Sequence, residues 1–174
     1  MIYHFLCPNL VYLVYLVQMA LEKLPLIGLY FGILSKDSGH VRWKNREIDR
    51  KIVSYGYLPE ERGIYPRVTV LDQLLYFATL RGMKHSHANK VIRDWCDIFD
   101  ITDYLNTPSE QLSKGNQQKV QLLSSIIHTP DLLILDEPFS GLDPVNTHVL
   151  KKILQMLVNN RYLYNTICSS NVYS

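Results

Sequence analysis

Apolar positions along this chain alternate between the unbroken runs of buried strands and the three- and four-residue spacing of helices. Val11-Tyr-Leu-Val-Tyr-Leu-Val17 is dense in β-branched and aromatic residues and short enough for a fully buried strand. Leu26 to Leu34 is apolar over a helical length, and Ser35-Lys-Asp-Ser-Gly39 closes it as a turn. Val41 to Ile48 predicts a small hairpin around Lys44-Asn45, and Ile52 to Leu58 a further β-rich run that stops at Pro59. Thr69 is placed to cap a helix on which Leu71, Leu74, Leu75 and Ala78 keep the helical period, with Asp72 favourable in the first turn. Ser86 is expected to cap a second helix, with Val91, Ile92, Trp95, Ile98 and Phe99 on one face. These two helices, within residues 69–110, predict a small helical subdomain beside the sheet.

Leu132 to Leu135 reads as another buried strand. Asp143-Pro144 then supplies an N-cap with proline at the first helical position, and Leu150, Ile153, Leu154 and Leu157 continue as an amphipathic helix. Tyr164 to Ser169 predicts a last short strand. Strands alternating with helices indicate an α/β chain with a mostly parallel sheet.

At 174 residues, 47% of them hydrophobic and 20% charged, the chain has the size and composition of one folded domain, and no long linker divides it. The formal net charge of +2 does not predict a nucleic-acid partner. Cys7, Cys96 and Cys168 are too far apart for a disulfide framework or a metal site, and His85 with His87 is expected in a solvated loop. Met1 to Leu21 lacks Asp, Glu, Lys and Arg, but His4, Asn9 and Gln18 interrupt it and no basic stretch precedes it, so a strand is preferred there to a membrane span.

Two stretches carry the chemistry. Gln111-Leu-Ser-Lys-Gly-Asn-Gln-Gln-Lys119 predicts a helix that begins at a small hydroxyl residue and a glycine, and helix N-termini present backbone N–H groups to anions. Leu132-Leu-Ile-Leu-Asp-Glu-Pro-Phe-Ser-Gly-Leu-Asp-Pro144 ends its strand in Asp136 and Glu137, at the carboxyl end where open α/β sheets bind ligands. Burying two carboxylates there is costly without a metal or a proton to act on. In this order and spacing the two stretches resemble the signature and Walker B regions of ATP-binding-cassette (ABC) ATPases.

The resemblance spans about Phe31 to Ser170 and implies a P-loop NTPase-like sheet with helices and a small helical subdomain. It implies ATP and Mg²⁺ as cofactors, and as partners a transmembrane permease subunit and a second ATP-binding subunit. The resulting transporter, expected to be an exporter, would hold this chain at the inner face of the cell membrane. Ser113 and Gly115, with Lys114, Asn116 and Gln117, would meet the nucleotide of the second subunit; the family has glycine and glutamine where this chain has Lys114 and Asn116. Asp136 would hold Mg²⁺ and Glu137 would orient the attacking water. Ser140-Gly-Leu-Asp143 resembles the D-loop, and Gly56 to Gly63 the Q-loop, with Glu60 near the metal where glutamine is usual. Asn171 stands in place of the switch histidine.

No Gly-x-x-x-x-Gly-Lys-Ser/Thr, the Walker A loop, occurs in the chain. Lys23 falls where its lysine would stand, but Val17, Ala20 and Glu22 take glycine positions and Leu24-Pro25 replaces the hydroxyl pair. The expectation is a chain truncated or degraded at both ends that binds ATP poorly by itself. Two readings stay open from the sequence: a subunit that completes a partner's nucleotide site, and a non-catalytic gene remnant or frame-shifted fragment without a transport role.

Overall fold

A computed structural model describes residues 54–60, 63–130 and 132–159 of the chain, together with the strand segments 2–4, 12–16, 42–43 and 46–47. In chain order the strands are β1 (Ile2–His4), β2 (Tyr12–Leu16), β3 (Arg42–Trp43), β4 (Arg46–Glu47), β5 (Tyr55–Leu58) and β6 (Leu132–Asp136). The helices are α1 (Val70–Leu80), α2 (His85–Ile98), α3 (Lys114–Ile126) and α4 (Pro144–Asn159). Among the described residues the main sheet runs β1-β2-β6-β5. Strand β6 pairs in parallel with β2 on one side and β5 on the other, and β1 closes the edge antiparallel to β2. The expected hairpin is present as β3 against β4.

Parallel strands need a long crossover, and the chain between β5 and β6 supplies one built from α1, α2 and α3. Its first part leaves and returns at a single place. Thr69 bridges Pro108 antiparallel; Val70 N donates to Thr107 O at 3.1 Å, Leu71 N to Leu105 O at 2.8 Å, and Ser109 N to Val68 O at 3.2 Å. Helix α1 is capped as expected, with Thr69 Oγ1 accepting from Asp72 N at 3.2 Å and donating to the Asp72 carboxylate at 2.7 Å. Its buried face is Val70, Gln73, Leu74 and Ala78.

Helix α2 corrects two expectations. Ser86 is not its cap: Gly82, at φ 84°, turns the chain so soon after α1 that the helix already starts at His85, behind Lys84 and without a side-chain cap. His85 and His87 therefore lie in the first turn of α2, exposed, rather than in a loop. The inward stripe is Ala88, Ile92, Trp95, Cys96 and Phe99, while Ile98, one residue round from Phe99, remains 39% exposed. Trp95 and Phe99 meet edge to face at 5.6 Å, a geometry worth about 1 kcal/mol beyond the area it buries.

Helix α3 is enclosed on most of its circumference, burying Val120, Leu122, Leu123 and Ile126 as well as polar residues. Each such aliphatic side chain contributes about 2 kcal/mol when taken fully from water. Strand β5 comes so close to this helix that a Cβ at Gly56 would lie 2.0 Å from Ser125 O, which restricts the position to glycine. Leu150, Ile153 and Leu154 of α4 are buried in the same core cluster. The sequence expectations at Leu26–Leu34, Tyr164–Ser169, Cys7 and Cys168 lie outside the described residues. Among the described residues no helix is long and apolar enough to cross a membrane.

Candidate functional site

The tight turn Ser109–Gln111 delivers Leu112 in an extended conformation, and Ser113 then caps α3 by accepting from Asn116 N at 3.3 Å. Ser113 and Lys114 are exposed, Asn116 is half-buried, and Gly115 is buried. Gln117 faces inward: its Nε2 donates to Ser109 O at 2.8 Å and to Leu112 O at 3.2 Å. The start of the helix is thus held from within while Ser113 and Lys114 are left at the surface.

Three further glutamines tie this region to its surroundings. Gln118 Nε2 donates to Pro138 O at 3.1 Å, joining α3 to the turn after Asp136 and Glu137. Gln121 Nε2 donates to Pro59 O at 3.1 Å, joining it to the end of β5. Gln73 Nε2 reaches the Ser109 hydroxyl, and Gln73 Oε1 accepts from Tyr65 N at 3.3 Å. Sequence reasoning assigned none of these roles, because glutamine is usually a surface residue and its type does not disclose which way it points.

Asp136 ends β6 at 8% exposure. On one side it pairs with Leu16, the last residue of β2. On the other side Leu58 pairs with Leu135, and Glu60 follows two residues beyond the end of β5, exposed. Glu137 is half-buried in the left-handed region at φ 44°, and its carbonyl accepts from Ser140 N at 3.0 Å. The ends of β5 and β6 thus lie side by side, with Asp136 and Glu137 at one and Glu60 two residues past the other. Lys23 and Asn171 lie outside the described residues.

Asp143 caps α4. Its carboxylate accepts from Val145 N at 2.9 Å and Asn146 N at 3.0 Å, and from Asn146 Nδ2 at 2.6 Å. The Asn146 backbone N–H first, and then its carboxamide, hold the Asp143 carboxyl below the usual carboxylate range.

Among the described residues no group of three or more His, Cys, Asp or Glu could cage a metal ion. Asp136 and Glu137 form a hard-oxygen donor set that fits Mg²⁺, which binds through one or two carboxylates plus phosphate oxygens and water rather than in an all-protein cage. Away from this edge, a groove of about 430 Å³ is lined by Tyr55, Tyr57, Phe77, Leu80, Arg81 and His128 among others. Tyr65 stacks on Phe77 at 5.9 Å near it, and Tyr65, Tyr76 and Leu80 are exposed.

The ABC transporter family model matches residues 25–140. The ABC transporter ATP-binding protein YhaQ of Bacillus subtilis is 51% identical over 133 residues, which are 76% of this chain and 45% of YhaQ. An ABC transporter ATP-binding protein of Methanocaldococcus jannaschii is 45% identical over 132 residues, 76% of this chain and 47% of that protein. The chain spans about half the length of these curated relatives. Among solved structures, cbiO1 from Clostridium perfringens, part of the ABC transporter complex cbiONQ, superposes with a TM-score of 0.71 at 24% identity. That match covers 91% of this chain and 65% of cbiO1, and at this identity it shows the fold. With the family model over more than half of its residues, the chain belongs to the ABC transporter family.

Proposed function

We propose that this chain is an ATP-binding subunit that completes the nucleotide site of a second, intact ATP-binding subunit and turns over little ATP alone. The observation that carries the reading is the Gln118–Pro138 hydrogen bond. It builds the Ser113 end of α3 and the Asp136–Glu137 strand end into one unit, although no Walker A sequence accompanies them. Bound ATP with Mg²⁺ would supply the phosphoryl group and its charge neutralisation. Asp136 would bind the metal with help from Glu60, and Glu137 would orient the attacking water. Ser113 and Gly115, flanked by Lys114 and Asn116 and held from behind by the inward Gln117, would face the partner's γ-phosphate, with Asp143 at the subunit boundary and Asn171 in the switch position.

A Walker A loop works by wrapping backbone N–H groups around phosphates, which needs glycine freedom. Removing one preorganised donor from a charge-stabilising site costs about 3 kcal/mol, and Val17, Ala20 and Glu22 remove several. Lys23 is too little to restore it. In this reading the aromatic groove near Tyr65 and Phe77 seats a transmembrane permease subunit. The chain then works at the inner face of the cell membrane, in an exporter.

Co-purification with a complete ABC ATP-binding subunit, followed by ATPase assay, tests the reading. The pair is expected to associate, and Ser113→Arg in this chain to lower the rate about 100-fold, the scale of losing one donor at such a site. No association, or no loss of rate, contradicts it. The same holds if the chain alone hydrolyses ATP at an ordinary ABC rate that Glu137→Gln abolishes.

A further inference from the structure

The start of α3 and the first turn of α4 meet at a point that no motif specifies. A Cβ added at Gly115 would lie 2.2 Å from Asn146 Oδ1 and 2.7 Å from its Nδ2, far inside contact distance. A surface asparagine could ordinarily swing aside. Asn146 is not free to do so without loss: its Nδ2 donates to Asp143 Oδ2 at 2.6 Å and its backbone N to Asp143 Oδ1 at 3.0 Å. With Nδ2 held by Asp143, the carboxamide fills the space that a Cβ at Gly115 would take. Gly115 itself sits at the second position of α3, immediately behind the Ser113 cap.

We propose that Asn146 is a positioning residue that locks the Asp143 turn to the Ser113 end of α3, and that Gly115 is glycine to admit it. The contact makes two motifs distant in sequence a single rigid corner. A side chain at 115 would push the carboxamide off Asp143 and loosen the turn without touching any phosphate. Glycine at this position has a second explanation, close approach of a nucleotide, and the two explanations predict different behaviour when Asn146 is removed.

A double-mutant cycle on the full chain separates them. Replacing a helical glycine by alanine is by itself stabilising, through backbone entropy. With Asn146 present that gain is expected to be cancelled or reversed. In Asn146→Ala the same Gly115→Ala change is expected to raise the unfolding midpoint, so that its effect is more favourable by roughly 3 °C than in the parent, the shift a modest coupling produces in a chain of this size. An equal shift in the two backgrounds overturns the proposal. Should Gly115→Ala alone not fold, recovery of folded protein in the Gly115→Ala, Asn146→Ala double variant shows the same coupling, and failure to recover it overturns the proposal.

The kinetic arm rests on the composite-site reading above and uses the chain paired with a complete subunit. Asn146→Ala is expected to lower kcat about 10-fold, the scale of a mispositioned group, while KM for ATP changes little, because the turn is loosened and the phosphate contacts are not. Unchanged kcat for Asn146→Ala, in a pair that Ser113→Arg inactivates, overturns the positioning role. Loss of the Ser113→Arg effect itself would refute the composite site and leave the unfolding cycle to decide on the lock.

Discussion

Gln117 donates its side-chain amide to Ser109 O at 2.8 Å, on the same serine whose hydroxyl Gln73 reaches. Through Ser109 the start of α3 and the middle of α1 share one buried polar joint, with Gln73 and Ser109 at 0% and 1% exposure. Replacing Gln117 by Leu removes a buried donor from two carbonyls. It is expected to destabilise the chain by about 1–3 kcal/mol, seen as a lower urea midpoint at unchanged slope. A midpoint equal to the parent's would show that water replaces the amide.

Thr69 and Asp72 cap α1 reciprocally, each side chain or backbone serving the other. Thr69→Ala is expected to cost about 1 kcal/mol, which for this size of chain lowers the unfolding midpoint by about 2–4 °C. Thr69→Ser keeps the acceptor and is expected to cost less. Differential scanning calorimetry of the two variants checks the order.

His128 pairs Nε2 with Tyr55 O at 3.0 Å, which requires the proton on that nitrogen, and leaves Nδ1 buried without a partner. Protonation would place a second buried N–H with no acceptor. Burial accordingly holds the imidazole pKa below its ordinary 6.5; the Tyr55 carbonyl opposes the shift and the nearby Arg81 charge adds to it. A depressed folded pKa means that its stabilising effect is present above the unfolded value and is lost as pH falls. Stability is therefore expected to decline on acidification below 6.5, and His128→Gln to flatten that part of the profile. Urea titrations between neutral and mildly acidic pH would show it.

Cys96 is fully buried, and its thiol is pushed up from 9.0 to about 12 by burial, with Arg93 pulling down and Asp97 pushing up by smaller amounts. A raised folded pKa makes its contribution present below the unfolded value and lost as pH climbs from about 9 toward 12. In a Cys7→Ser, Cys168→Ser background, iodoacetamide at neutral pH is expected to leave Cys96 unmodified in native protein and to alkylate it in denaturant. Mass spectrometry reads both. Rapid labelling of the native chain would contradict the burial.

Local signals made most elements legible. The β-branched run at Val11–Val17, the Thr69 and Ser113 caps, the apolar Leu132–Leu135 and the Asp143-Pro144 pair each state their own secondary structure, and strands or helices stand where they point. Strand β1 has three residues and no period to read. Ser86 carried a cap signal that tertiary turning at Gly82 overrode. Candidate site residues could be named from residue types in order, since phosphate and metal chemistry restrict types. Its supports were not: the inward glutamines and the Gly115–Asn146 contact depend on direction and on residues far apart in sequence, which neither composition nor spacing records.

The bridge between Thr69 and Pro108 also bears on how the sheet assembles. Parallel pairing of β5 with β6 joins segments separated by a long stretch of chain, and such distant contacts slow folding. Thr69 and Pro108 pinch off roughly half of that stretch, and halving a loop lowers its closure entropy by about 0.6 kcal/mol. Helices α1 and α2 lie wholly within the pinched segment, so its closure shortens the crossover that the sheet has still to close.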